Sequence, residues 1–217
     1  MDGPTIQARI YAGRGKAALR IGMPCKQYRP LSASAPLANL VGTITAAFNS
    51  GDSNYLKPNL PGNPLWFADL DGRTTQPGDY LVRVADGATW FIAAQQQLLP
   101  IVCVDCSRAI RITRQQGLNA VGAVGYGGNV PVNEIDVLGA PGALWPASIL
   151  FGGRKDSAAN LPSSTKNSGF KFMLPPSVPI VIKAGDIATD DLGRRYVIDG
   201  AELTDLGWRI NANEVHS

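Results

Sequence analysis

The chain has 217 residues, a net charge of +3, and only 17% charged residues against 45% hydrophobic ones, enough core material for one large β domain or two small ones. No run of 18 apolar residues is present and Met1-Asp2-Gly3-Pro4 lacks a basic region followed by an apolar stretch, which argues against membrane insertion and against a secretory leader. Three cysteines, Cys25, Cys103 and Cys106, form no disulfide framework and fit a reducing compartment.

Charge is unevenly placed. Residues 3 to 51 hold no acidic side chain and six basic ones, Arg9, Arg14, Lys16, Arg20, Lys26 and Arg29, leaving the remainder at −3. Such asymmetry marks the six as candidate contacts with DNA or with an acidic protein surface; the plainer alternative is a solvated helix face. Within this stretch Ile6, Ile10, Ala17 and Ile21 recur at helical spacing with Gly13 on the same stripe, predicting a helix that needs packing to persist because Gly13 and Gly15 weaken it. Leu37, Leu40, Val41, Ile44 and Phe48 also keep helical spacing, but Val41, Thr43 and Thr45 favour a strand, and this segment stays open between the two. Residues 1–60 are accordingly read as a basic arm with short helices.

Asn54, Pro58, Asn59, Pro61, Gly62 and Pro64 punctuate a loop before Leu65-Trp66-Phe67-Ala68 opens a first β unit, residues 61–115. Residues 116–144, dense in glycine, read as a linker or long loop whose Gly122, Gly125, Tyr126, Gly127 and Gly128 are candidate contacts. A second β unit, 145–217, opens at Trp145 and continues through Phe170-Lys171-Phe172-Met173-Leu174, which alternates as a half-buried strand does.

The two units share a phrase. Gly78-Asp79-Tyr80-Leu81, Gly87, and Trp90-Phe91-Ile92 are matched by Gly185-Asp186-Ile187, Gly193, and Tyr196-Val197-Ile198, about 106 residues later. At that spacing Val102 and Val104 align with Trp208 and Ile210. A Gly-Asp turn, a short strand, a glycine turn, an aromatic strand and a third strand describe a three-stranded meander. Two copies predict a mainly β protein made of two small barrel- or sandwich-like units behind a partly helical arm.

Catalytic material is sparse. The single histidine, His216, is penultimate, and no Gly-x-Ser-x-Gly elbow occurs. Cys103-Val104-Asp105-Cys106 has the spacing of half a zinc site but falls in a strand, and buried small side chains are the better reading. Gly13-Arg14-Gly15-Lys16 lacks the leading glycine and the hydroxyl of a phosphate loop, and Gly125-Tyr126-Gly127 lacks the third glycine of a dinucleotide fingerprint. Asp71, Asp79, Asp186, Asp190 and Asp191 all lie beside glycine turns, where aspartate bonds the turn backbone. No catalytic residue, metal or cofactor is expected.

Tyr28-Arg29-Pro30, Gly78-Asp79-Tyr80-Leu81-Val82, Trp90-Phe91-Ile92-Ala93-Ala94, Leu98-Leu99-Pro100-Ile101, Trp145-Pro146-Ala147-Ser148-Ile149-Leu150 and the run from Thr189-Asp190-Asp191-Leu192-Gly193 through Gly207-Trp208-Arg209 resemble structural proteins of tailed bacteriophages and prophages. The resemblance spans most of the chain. It implies a non-enzymatic virion component in the neck or tail, ring-forming with its own copies, touching portal or tail proteins and, non-specifically, DNA in the channel, and assembled in the host cytoplasm without a membrane. Two other classes stay open: a nucleic-acid-binding β-barrel in which Arg108, Arg111 and Arg114 track phosphates, and a polysaccharide-degrading tail enzyme that would use carboxylates such as Asp71, Asp190 and Asp191.

Overall fold

The structure, a computed structural model, describes residues 2–49, 62–115, 134–154 and 168–215. Among these residues one helix, α1 (Gly3–Ile21), is followed by thirteen strands: β1 (Met23–Tyr28), β2 (Leu40–Asn49), β3 (Leu65–Asp69), β4 (Tyr80–Arg83), β5 (Thr89–Ala94), β6 (Ile101–Asp105), β7 (Arg108–Gln115), β8 (Glu134–Leu138), β9 (Trp145–Arg154), β10 (Ser168–Leu174), β11 (Ile187–Asp190), β12 (Arg195–Thr204) and β13 (Gly207–Glu214). The protein is mainly β, with a closed barrel of six strands and a second, larger sheet.

Antiparallel pairing in the first barrel runs β1-β2-β3-β6-β5-β4 and returns to β1. The second sheet runs β11-β12-β13-β10-β9-β7-β8, and an additional pairing of β11 with β7 joins six of these strands into a ring, β7-β9-β10-β13-β12-β11. That ring repeats the first strand for strand, with β8 added. Leu138 of β8 lies opposite Ile112, and Trp145 of β9 opposite Ile110. The two strands therefore follow one another along a single edge of β7, as β2 alone follows β1 from Leu40 opposite Tyr28 to Ala46 opposite Met23.

Several elements depart from the sequence reading. Strands β1 and β2 lie within the stretch read as an arm; the β-branched residues of Leu37–Phe48 prevail because β2 is paired on one side with β1 and on the other with β3. β7 belongs to the second ring rather than to the first unit, so the covalent link between the barrels is Cys106-Ser107 and not residues 116–144. β8 falls inside that supposed linker. Its charged residues hid it, since Glu134, half-buried, and Asp136, exposed, occupy an edge strand.

The duplicated meander is present, with one correction of register. Trp90 lies opposite Asp105 and Tyr196 opposite Glu214, so Asp105 corresponds to Glu214 and Cys103 to Ala212. Matching Val102 and Val104 to Trp208 and Ile210 pairs residues of opposite faces. The displacement arises because β12 and β13, of 10 and 8 residues, extend past their counterparts and are joined by the short turn at Asp205-Leu206.

The first barrel encloses Cys25, Ala46, Ala68, Leu70, Leu81, Trp90, Ile92, Ile101 and Cys103. A second cluster fills the other barrel and continues onto the outer face of the first through Tyr80, Phe91, Ala93 and Val104. Strand β5 is thus buried on both faces, Trp90 and Ile92 inward and Phe91 and Ala93 toward the neighbouring barrel. The Tyr80 hydroxyl donates to the Pro146 carbonyl at 2.7 Å and the Ser177 hydroxyl to the Gly78 carbonyl at 3.0 Å.

Helix α1 is capped by Asp2, whose carboxylate accepts from the Thr5 N–H, and starts with Pro4 in its first turn. It packs on β2 and β3 with Tyr11, Gly15 and Ala18 at its closest approach, rather than centred on the Ile6, Ile10, Ala17 and Ile21 stripe. Ala18 is buried, whereas Ile6 and Ile10 of the stripe are half-buried and Ala17 and Ile21 exposed. The cause is close approach: a Cβ on Gly15 would lie 2.9 Å from Asp71 Cβ, and one on Gly22 2.7 Å from the backbone of Ala46. Gly13, by contrast, has open space around it. Gly13→Ala is therefore expected to raise stability by about 0.5–1 kcal/mol, while Gly15→Ala lowers it, as urea unfolding curves of the two variants would show.

Candidate contact surfaces and buried polar corners

The two Gly-Asp turns are built alike. Arg29, just past β1, grips Asp79 with Nε and Nη2, both at 2.8 Å, while Gln27 Nε2 at 2.7 Å and the Gln76 N–H at 3.1 Å donate to the same carboxylate. In the second barrel Arg114, near the end of β7, grips Asp186 at 2.7 and 2.8 Å, and the Lys183 N–H donates at 2.8 Å. Each arginine also donates to a carbonyl in the segment before the turn, Thr74 or Val181. The turn backbones match as well: Gly78 N–H to the Ile92 carbonyl and Gly185 N–H to the Ile198 carbonyl, with Ile92 and Ile198 donating back to Asp79 and Asp186. Both carboxylates are buried, at 0% and 2% exposure, so their desolvation is compensated only while the bidentate arginine is in place.

This arrangement removes Arg29 from the candidate partner-facing set. Arg14 leaves it too, since its Nη1 lies 2.9 Å from Asp69. Arg9, Lys16 and Arg20 are exposed on α1, and Lys26 is exposed on β1. Four of the six thus lie on α1, Arg14 among them paired with Asp69, while Lys26 lies on β1 and Arg29 just past it. Gly122, Gly125, Tyr126, Gly127 and Gly128 lie outside the described residues, as does His216. Arg108, Arg111 and Arg114 each face an acid, Asp191 at 3.8 Å, Asp136 at 3.4 Å and Asp186 at 2.7 Å, which weakens their reading as a phosphate track.

The acidic residues considered for glycoside chemistry are held by neighbours. Asp190 accepts from the N–H groups of Leu192 and Arg194, from Arg194 Nε and from the Tyr196 hydroxyl. Asp71 accepts from the Arg73 N–H and its guanidinium. Both serve their turns, as the glycine context predicts. Burial raises the Tyr196 hydroxyl well above its usual range, reinforced by Asp190. No group of three or more potential metal ligands occurs among the described residues.

A surface that the sequence reading missed lies at one end of the first barrel. Ile21, Gly22, Met23, Ala46, Ala47, Phe48, Trp66, Arg83, Ala88, Trp90 and Asp105 line a half-open cavity of about 820 Å³. Phe48 stacks on Trp90 with centroids 4.0 Å apart, and the Arg83 guanidinium sits 5.1 Å over the Trp90 ring. The indole N–H groups of Trp66 and Trp90 are buried with no acceptor among the described residues. Burial raises the Asp105 carboxyl, against the opposing pull of Arg83. At the rim, Ile21 and Met23 are 55% and 51% exposed. At the corresponding end of the second barrel Phe170 and Tyr196 stand where the first has Trp66 and Trp90, and Phe151, Phe170, Phe172 and Tyr196 meet edge to face at 5.1–5.5 Å. Trp66 and Trp90 were visible in the sequence, but only barrel closure brings them together.

Compared with protein-family models, with curated proteins and with solved structures, the chain matches none.

Two predictions follow from the buried polar groups. Arg29→Met, which strands the Asp79 carboxylate, is expected to cost about 3 kcal/mol, and Arg114→Met a comparable amount, read as lowered midpoints in urea. Burial pushes the Cys25 thiol from 9.0 up to about 11 and also raises Cys103 and Cys106. Above pH 9 the unfolded chain releases thiol protons that the folded chain keeps, so the unfolded state binds fewer protons and stability falls as pH rises between 9 and 11. Replacing Cys25 and Cys103 by alanine should flatten that decline in urea titrations, and a thiol reagent at pH 8 should label neither residue until the chain unfolds.

Proposed function

We propose that this protein is a non-enzymatic structural component of a tailed bacteriophage particle, assembling as a ring of its own copies at the head-to-tail junction, as a connector, adaptor or collar, or in the tail. The observation that carries the reading is the uncovered apolar end of the first barrel, where Ile21 and Met23 stand exposed around the aromatic cavity. A patch of this kind on a chain otherwise poor in surface charge fits a subunit whose neighbours cover it. The resemblance of the Gly-Asp and Trp-Phe-Ile phrases to phage virion proteins supports the same reading. Two barrels with a continuous core would hold their shape while docked portal or tail proteins cover the open end.

Cryo-EM of intact particles is the test. Density for this chain is expected as a closed ring with the Met23 end covered by a neighbour. Ile21→Glu with Met23→Glu, both at exposed positions, should leave the melting temperature of the isolated chain unchanged and remove the chain from assembled particles. Particles without density for it, or turnover of a substrate by the purified chain, would overturn the proposal.

A further inference from the structure

The open end of the first barrel is a ring of side chains to which every strand contributes one. Met23, Phe48, Trp66, Arg83, Trp90 and Asp105 each stand two residues from a member of the barrel core, namely Cys25, Ala46, Ala68, Leu81, Ile92 and Cys103 in that order. Side chains two apart on a strand share a face. Neighbouring strands run antiparallel, and the step from core residue to ring residue reverses in sense from each strand to the next, so all six meet at one mouth. Two features of that mouth are incomplete. The indole N–H groups of Trp66 and Trp90 are buried without an acceptor among the described residues, and Trp90 is only 5% exposed. Asp105 accepts no side-chain hydrogen bond among the described residues; Arg83 acts on it through charge alone, because its Nε and Nη2 go to Asp86. In the second barrel the position of Arg83 is taken by Asp190 and that of Trp90 by Tyr196, and these two satisfy each other, the Tyr196 hydroxyl donating to Asp190 at 3.1 Å. Buried donors left open in one copy and closed in the other point to an acceptor brought from outside.

We infer that the mouth receives an extended segment of a different protein, one that sets an apolar side chain beside a lysine or arginine. Ile21, Met23, Ala46 and Phe48 supply walls for the apolar side chain. Main-chain carbonyls, which an extended segment presents whatever its sequence, supply the acceptors that the two indoles lack. Charge complementarity supplies the cation. Arg83 is balanced by Asp86, which leaves Asp105 as one net negative charge in the mouth. Burial raises the Asp105 carboxyl, so a cation placed beside it relieves a cost that the free chain carries. A saccharide fits less well, since the Trp90 ring is already covered, by Phe48 stacked at 4.0 Å and by the Arg83 guanidinium at 5.1 Å, and offers its edge rather than its face. The partner is a different protein because the described strands of this chain spend their main-chain groups within the two barrels. The inference rests on the reading that a neighbour covers this end, and it names what that neighbour brings.

The test follows the indole N–H signals of the isotope-labelled full chain by NMR. Its four tryptophans give four such signals, and Trp66→Phe and Trp90→Phe identify the two that matter. Acetyl-leucyl-lysine amide, used as the probe, should move the Trp66 and Trp90 signals downfield in a saturable way and leave those of Trp145 and Trp208 in place. Acetyl-leucyl-norleucine amide, which lacks the ammonium, should bind about tenfold more weakly, and Asp105→Asn should erase that difference. Signals that the lysyl probe leaves unmoved up to about 20 mM, or that both probes move with equal affinity, overturn the assignment. So do signals moved by maltose and not by the peptides, which would give the mouth to a saccharide, and signals that move with the chain's own concentration, which would give it to a second copy. A chain with no place in any particle that still prefers the lysyl probe sinks the virion reading alone. A chain found in particles whose mouth ignores the probe sinks this inference alone.

Discussion

The architecture depends on a buried carboxylate held by an arginine from a strand that enters the turn from outside it. Asp79 and Asp186 sit where two strands must diverge and where backbone N–H groups would otherwise go unsatisfied. A carboxylate at that point can collect those donors only if its own charge is met, and Arg29 and Arg114 meet it with a planar fork. The grip also fixes register, because each arginine follows the residue that faces the first position of the next strand: Tyr28 faces Tyr80, and Thr113 faces Ile187. One local motif therefore closes each ring, tying its first strand to its fourth.

Duplication of the ring did not duplicate its surfaces. The second barrel packs four aromatic rings edge to face at the end where the first keeps an open, tryptophan-lined cavity. The first barrel in turn has lent the outer face of its β5 to the common core, through Phe91 and Ala93. One copy is specialised as the interior of the pair, and the other offers its end and its helix to the surroundings.

How much of this was legible in the sequence follows from how local each signal is. The mainly β character, the two meanders, the turn aspartates and the burial of Cys103 were readable because glycine corners and alternating strands are written in consecutive residues. The partners of Asp79 and Asp186 were not, since Arg29 and Arg114 come from strands far away in the chain and carry no spacing signal. The helix was readable but its orientation was not: isoleucines at helical spacing suggested one face, and the small residues Gly15, Ala18 and Gly22, which allow contact at backbone distance, selected another. The third strand of the meander was misaligned because the hairpin of β12 and β13 is longer than its counterpart, and a repeat read at fixed offset cannot absorb an insertion.

The link between the barrels has a mechanical consequence. Only Cys106 and Ser107 separate β6 from β7, and the Ser107 hydroxyl is tied to the backbone of Ile149 in the second barrel. So short a tether has no slack to take up. A pull on one ring reaches the other at once, and the pair behaves under load as a single stiff link rather than as two beads on a string.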